Sequence, residues 1–176
     1  MEKKDKPVKR IALLGPECTA KSSLSEALAK HFNTVWIPEY ARTHLASLNR
    51  KYTLEDIIEI SQVQIEQERI AVEKANNYIF VDTELIISKV WCLDVFKTCP
   101  EWISSSLLKT KFDLYLLTYP DLPWEEDVLR ENPHRREYLF DWYEKELMEL
   151  SANYVIIKGR GDVRIENCIK AINQLL

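Results

Sequence analysis

Gly15-Pro16-Glu17-Cys18-Thr19-Ala20-Lys21-Ser22 decides the fold of this chain, because it is one residue short of a Walker A phosphate loop. That pattern asks for glycine, four residues, then glycine, lysine and serine or threonine. Only Ala20 departs from it, standing where the second glycine belongs. The flanks fit: Arg10-Ile11-Ala12-Leu13-Leu14 reads as a buried strand and residues 22–32 as a helix. A turn from strand into helix aims its backbone N–H groups, and the positive end of the helix, at an anion. In such a loop Lys21 would reach the β/γ-phosphates of ATP and the Ser22 hydroxyl would ligate Mg²⁺. Gly15, Pro16, Glu17, Cys18, Thr19, Ala20, Lys21, Ser22 and Ser23 are therefore the candidate nucleotide contacts. Alanine tolerates helical φ/ψ, so Ala20 is expected in the first helical turn without strain. Its Cβ is expected to project where phosphate and backbone come close, weakening binding without abolishing it.

Outward from the loop, short apolar runs alternate with longer amphipathic ones, the signature of an α/β protein with a parallel sheet. Strands are predicted at 8–14, 35–37, 78–81, 114–118 and 154–157, several apolar throughout as helices on both faces require. Joined to the phosphate loop, they predict the P-loop nucleoside triphosphate hydrolase fold, five parallel strands in the order 2-3-1-4-5. Thr53 reads as the N-cap of a long helix towards Asn76, with Ile57, Ile60, Ile65 and Val72 forming its apolar stripe. Further helices are expected from Glu84 to about Phe96, over 137–150, and from Asp162 onward. Residues 119–136 carry three prolines, several acids and three arginines between a strand and a helix. That is too long for a tight connection, and long loops in compact domains tend to be functional, so a mobile lid is expected there.

The chain has 176 residues, 46% of them hydrophobic and 30% charged, which suits one soluble domain spanning 1–176 with a sizeable core. A formal net charge of −4 argues against nonspecific nucleic-acid binding, which depends on neutralising phosphates with Lys and Arg. The basic start, residues 1–7, reads as a solvated tail. The first apolar run is too short for a signal peptide or a membrane span, so a cytoplasmic protein with no membrane partner is expected. Cys18, Cys92, Cys99 and Cys168 are scattered, with no C-x-x-C pair, which argues against structural zinc and a disulfide framework.

Ligands of open α/β sheets bind outside the carboxyl ends of the strands. The first strand delivers the phosphate loop, the second Pro38-Glu39-Tyr40-Ala41-Arg42, and the third Asp82-Thr83-Glu84. A cation, acids and the arginines of 119–136 thus converge on one edge, which are the parts phosphoryl transfer needs. Asp82 closes an apolar strand as a Walker B aspartate does, and would orient Mg²⁺; the same position also suits the N-cap of the next helix. Glu39 would accept the proton of an attacking hydroxyl, or else is simply an acid at a helix start. Arg130, Arg135 and Arg136 would fold onto the phosphates. Trp36, Tyr40, Trp91, Phe96 and Trp124 are available to stack on a base, or else are core side chains.

Trp36-Ile37-Pro38-Glu39-Tyr40-Ala41-Arg42, Phe80-Val81-Asp82-Thr83-Glu84-Leu85 and Asp113-Leu114-Tyr115-Leu116-Leu117-Thr118 together resemble the NadR-type ribosylnicotinamide kinase domain. So does Pro120-Asp121-Leu122-Pro123-Trp124 with Asp127-Val128-Leu129-Arg130, and the likeness runs on to Gly159 and Arg164. The resemblance implies ATP-dependent phosphorylation of the ribose 5′-hydroxyl of nicotinamide riboside, giving nicotinamide mononucleotide. It implies Lys21, Glu39, Asp82 and Arg130 as catalytic residues, with Glu39 as base. It also implies Ser22 with Asp82 as the Mg²⁺ site, and Arg136 and Gly159 as further nucleotide contacts. The chain begins almost at the phosphate loop, so the adenylylating and DNA-binding modules of some members are expected to be absent. Two departures stand out: the family pattern has glycine where this chain has Ala20 and, in most members, where it has Val128. The alternatives are a kinase for another nucleoside or nucleotide, or an ATP-binding regulator with weak or lost transfer. A GTPase switch is disfavoured because no Asn-Lys-x-Asp motif occurs. Oligomeric state is not legible.

Overall fold

Strand β1 (Lys9–Leu14) forms the spine of the computed structural model, which describes residues 7–176. It pairs in parallel with β3 (Tyr78–Asp82) on one side and β4 (Leu114–Thr118) on the other. β2 (Val35–Ile37) then adds beside β3, and β5 (Tyr154–Ile157) beside β4. The order is β2-β3-β1-β4-β5, all parallel, as the sequence predicts. Apart from Pro7, the expected basic tail lies outside the described residues.

Side chains of a strand alternate between its faces, and the central strands use both. Ala12, Leu14, Ile79, Val81, Tyr115 and Leu117 face α3 (Leu54–Val72), α4 (Leu85–Trp91) and α6 (Arg136–Glu149). Ile11, Leu13, Phe80, Leu114 and Leu116 face α1 (Lys21–His31) and α7 (Gly161–Leu175), where Leu24, Leu28, Cys168 and Ile172 cover them. With both faces buried, the strand register cannot slip without exposing the core. That register pairs Leu13 with Asp82 and Leu14 with Leu117, so Gly15 and Thr118 finish at one level with Asp82 two residues below, beside Leu13.

Three local features depart from the sequence reading. α2 (Tyr40–Ser47) and α5 (Glu101–Lys109) are helices of 8 and 9 residues, too short for periodicity to declare them. They are set by packing: Ile103 and Leu107 of α5 and Ala41 of α2 are buried. The expected single helix from 84 to 96 is instead α4 followed by a π-helical turn at Cys92–Phe96 that ends on Lys97 at φ +60°. Cys92 of that turn is buried against Ile57 and Ile103. The wider turn carries Asp94 and Phe96 onto the wall of the cleft described next. Single π turns inside α-helices concentrate at functional sites.

Candidate active site

A cleft of about 1060 Å³ opens at the carboxyl ends of the strands. One end is the phosphate loop. Gly15 sits at φ +148°, and a Cβ there would meet the Thr118 hydroxyl at 2.2 Å and its carbonyl at 2.7 Å, so only glycine fits. The Thr118 hydroxyl lies 3.0 Å from the Leu14 carbonyl and 2.7 Å from the Thr19 hydroxyl, which itself donates to the Pro16 carbonyl at 2.8 Å. Thr118 thus braces the loop from a neighbouring strand, a role the sequence did not suggest.

Ala20 corrects an expectation. It lies at φ +65°, ψ +26°, in the left-handed region, not in helical φ/ψ. Its methyl packs on the apolar cluster of α1 and α7. Placing a non-glycine residue there costs about 1–2 kcal/mol. Cys18 takes the same conformation at φ +56°, so the loop turns sharply twice without glycine at either point.

Lys21 donates from Nζ to the Pro16 carbonyl at 2.9 Å, closing the loop on itself. The Ser22 hydroxyl hydrogen-bonds Oδ2 of Asp82, while Oδ1 of this fully buried carboxylate has no protein partner. Burial pushes Asp82 above the usual carboxylate range, with the Lys21 charge pulling it back. A hydroxyl beside a carboxylate with one free oxygen suits Mg²⁺, which keeps several waters and takes phosphate oxygens instead of an all-protein cage. Among the described residues no cluster of three His, Cys, Asp or Glu side chains would form such a cage.

Glu39 ends the stretch after β2 and lines the same cleft. Burial raises its pKa; Lys21 and Arg42 oppose the shift, and Asp82 and Glu17 add to it. Below Asp82 the chain reverses through Thr83, a β-branched residue held at φ +76°, an outlier for its type. Glu84 then caps α4, accepting the Ile86 N–H at 2.9 Å. Its other oxygen is buried without a partner, and burial pushes its pKa up to about 8.

The far end of the cleft is aromatic. Tyr52 meets Trp91 edge-on, ring centres 5.0 Å apart, and Phe96 at 6.2 Å. Asp94 lies beside them, held below the usual carboxylate range by two hydrogen bonds from Arg135 at 2.9 and 2.7 Å. Of the five aromatic candidates from the sequence, Trp91 and Phe96 line the cleft. Trp36 packs on the opposite face of the sheet, Tyr40 lies edge-on to His44, and Trp124 sits under Arg136. Tyr52 was missed because it lies in the connection from α2 to α3, with no periodic signal. Its place is fixed by Asp56, which accepts the Thr53 N–H at 2.7 Å, takes Arg50 at 2.6 and 2.9 Å, and lies 3.0 Å from His44. The Arg50 guanidinium and the His44 ring hold the Asp56 carboxyl below its usual range.

Residues 119–135 cross between these two ends. At their base Asp121 accepts the Gly159 N–H at 2.8 Å and the fully buried Arg164 at 2.5 Å. Arg42 donates to Asp127 at 2.8 Å, and Tyr52 to Glu131 at 3.1 Å. Arg130 lines the cleft and donates to the Glu125 carbonyl at 2.5 Å. Arg136 bonds the Leu122 carbonyl at 2.8 Å instead. The structure therefore brings Lys21, Glu39 and Arg130 to one cavity with Asp82 directly beneath Ser22, whereas Pro16, Arg136 and Gly159 stand outside its lining.

A parallel sheet in this order, a phosphate loop after the central strand and an acid closing its neighbour define a P-loop kinase-like protein. Residues 10–164 match the AAA domain family, and the chain belongs to that family. It is similar to the trifunctional NAD biosynthesis/regulator protein NadR of Salmonella typhimurium, at 26% identity over 96% of this chain and 43% of the relative. The NadR of Escherichia coli matches equally, at 26% identity over the same shares. The chain thus spans less than half the length of these curated relatives. Among solved structures it is similar to the NadR protein in complex with NR, with TM-score 0.80 and 19% identity, covering 96% of this chain and 52% of that one. A deoxyadenosine kinase from M. mycoides with bound products matches with TM-score 0.64 and 15% identity, over 94% and 99% of the two chains. The resemblance read from the sequence and the P-loop fold both stand. No helix among the described residues is long and apolar enough to cross a membrane.

Proposed function

We propose that this chain is a nucleoside kinase that transfers the γ-phosphoryl group of Mg·ATP to the ribose 5′-hydroxyl of nicotinamide riboside. The observation that carries this reading is the position of Glu39. It lines one cavity with the phosphate loop and with the aromatic group Tyr52, Trp91 and Phe96, so a nucleoside stacked at the far end presents its ribose to a carboxylate. The similarity to NadR supports nicotinamide riboside as the acceptor.

In this reading the Lys21 ammonium leaves the Pro16 carbonyl for the phosphates. Ser22 and Asp82 hold Mg²⁺, which when bound neutralises charge developing on the phosphate oxygens. Glu39 takes the hydroxyl proton, and its raised pKa brings it towards the value that suits a general base near neutral pH. Residues 119–136 act as the lid on a single domain, Arg130 supplies charge from it, and Arg136 with Gly159 steadies its base. Aromatic side chains beside the Asp94 carboxylate suit a cationic pyridinium ring, whose charge is drawn to their faces.

The test is ADP release from Mg·ATP with nicotinamide riboside, a panel of other nucleosides, and no acceptor. Release that depends on nicotinamide riboside and disappears in Lys21→Ala and Glu39→Gln is the expected result. Release with a different nucleoside moves the acceptor and keeps the kinase. ATP binding with no acceptor-dependent release leaves a nucleotide-binding regulator, the reading favoured by the strained Ala20.

A further inference from the structure

Glu17 does something that the proposed transfer does not use. Its Oε1 accepts the Glu131 N–H at 3.0 Å and its Oε2 accepts the Asn132 N–H at 2.9 Å. Two successive amides converging on one carboxylate form a small anion nest. Hydrogen bonds to an ionised acceptor are roughly twice as strong as neutral ones. The next loop residue, Cys18, adds a second touch, with Sγ 3.4 Å from the Glu125 N–H and 3.6 Å from its carbonyl.

Consecutive phosphate-loop residues therefore grip both ends of the stretch 125–132, and Arg130 lies between those grips. On the other rim, Asp127 is tied to Arg42 and accepts the Leu129 N–H at 2.9 Å. An acid in a phosphate-binding loop repels a triphosphate unless donors satisfy its charge. The lid amides do that only when the lid lies over the loop.

We propose that Glu17 is a positioning residue, a latch that holds the lid on the phosphate loop and so sets Arg130 over the transferring phosphoryl group. The latch rests on the kinase reading above for its purpose, though not for its existence. By linkage, whatever holds the loop in this shape also favours the closed lid, and the reverse. The same hold keeps water from the phosphoryl group once the lid is down.

Hydrogen–deuterium exchange on the full chain, with and without Mg·ATP, tests this without any need for turnover. With ATP bound, amides of 125–132 are expected to exchange about tenfold faster in Glu17→Ala than in the wild type, the scale of one charge-assisted hydrogen bond. Glu17→Gln, which keeps an acceptor oxygen without the charge, is expected to fall between. Equal exchange in wild type and Glu17→Ala overturns the latch. Turnover gives a second readout: kcat for transfer falls about tenfold in Glu17→Ala, acceptor KM stays within about twofold, and more ATP is lost to water per transfer. A variant that instead binds ATP more tightly and turns over faster makes Glu17 a rival anion, which also overturns the latch. If the wild type transfers nothing while the exchange difference persists, the latch stands and the kinase reading falls.

Discussion

At the phosphate end of the cleft, eight consecutive residues supply the loop, and one register, Leu13 beside Asp82, brings up the buried acid. At the aromatic end, Tyr52 comes from an irregular connection, Trp91 and Phe96 from either side of a change in helix type, and Arg135 from the cap of α6. The first end is made by local chain geometry and is rigid: Gly15 and Thr118 leave each other no room. The second is made by packing and is held by polar contacts at the surface, among them Arg135 on Asp94 and Tyr52 on Glu131. In the proposed kinase the contiguous motif would supply chemistry that is the same for any nucleotide, whereas the dispersed end would set which acceptor enters.

The sharpest way to break this comparison is at Lys21. Lys21→Ala is expected to lower kcat/KM about a hundred- to a thousandfold, the scale of losing one preorganised charge at a transition state. Glu39→Gln should lower kcat by about a hundredfold or more with little change in ATP affinity. Steady-state kinetics with both substrates separates the two, and wild-type rates in either variant would undo the division of labour.

Glu84, under the phosphate end, tests its floor through stability. Its folded pKa of about 8 stands above the ordinary 4.5, so the unfolded chain gives up this proton first. Glu84's stabilising share is therefore complete below pH 4.5 and is lost as pH rises through about 8. Glu84→Gln keeps an acceptor for Ile86 and is expected to remove most of that loss, which is on the order of a few kcal/mol across the window. Urea midpoints on either side of the window measure it, and an unchanged loss would mean that Glu84 is already ionised in the folded protein.

Trp91→Ala addresses the other end. It is expected to raise acceptor KM about ten- to a hundredfold, since stacking one base contributes about 1–3 kcal/mol, while ATP KM holds. If ATP KM moves equally, the two ends are not independent. The smallest effect is expected at Ala20. Ala20→Gly removes left-handed strain of about 1–2 kcal/mol and gives part of it back in unfolded-chain entropy. A rise in unfolding free energy of up to about 1 kcal/mol, read from denaturant curves, is the expected net. A fall would show that the methyl's packing on the α1–α7 cluster outweighs the strain.

The difference between the two ends also sets what could be read in advance. The strands were legible because residues 11–14, 79–81 and 114–117 are buried on both faces and so run apolar without interruption. Thr53 was legible as a cap because its residue type favours that position before an apolar stripe, and Asp56 completes the box by accepting the Thr53 N–H. The π turn was not, since Leu85 to Phe96 reads as one apolar helix and only Cys92's place against Ile57 and Ile103 widens it. Ala20's left-handed backbone was not legible either, because alanine prefers helical φ/ψ and the closure of the loop overrides that preference.

By itself the sequence determined the parallel sheet, its order, and the strand ends at which Lys21, Glu39 and Asp82 stand, because period and motif are properties of neighbouring residues. The tertiary structure alone decided that Tyr52 joins Trp91, that Arg135 answers Asp94, and that Glu17 meets the lid. Those pairs are remote in the chain, and their meeting depends on how whole elements pack.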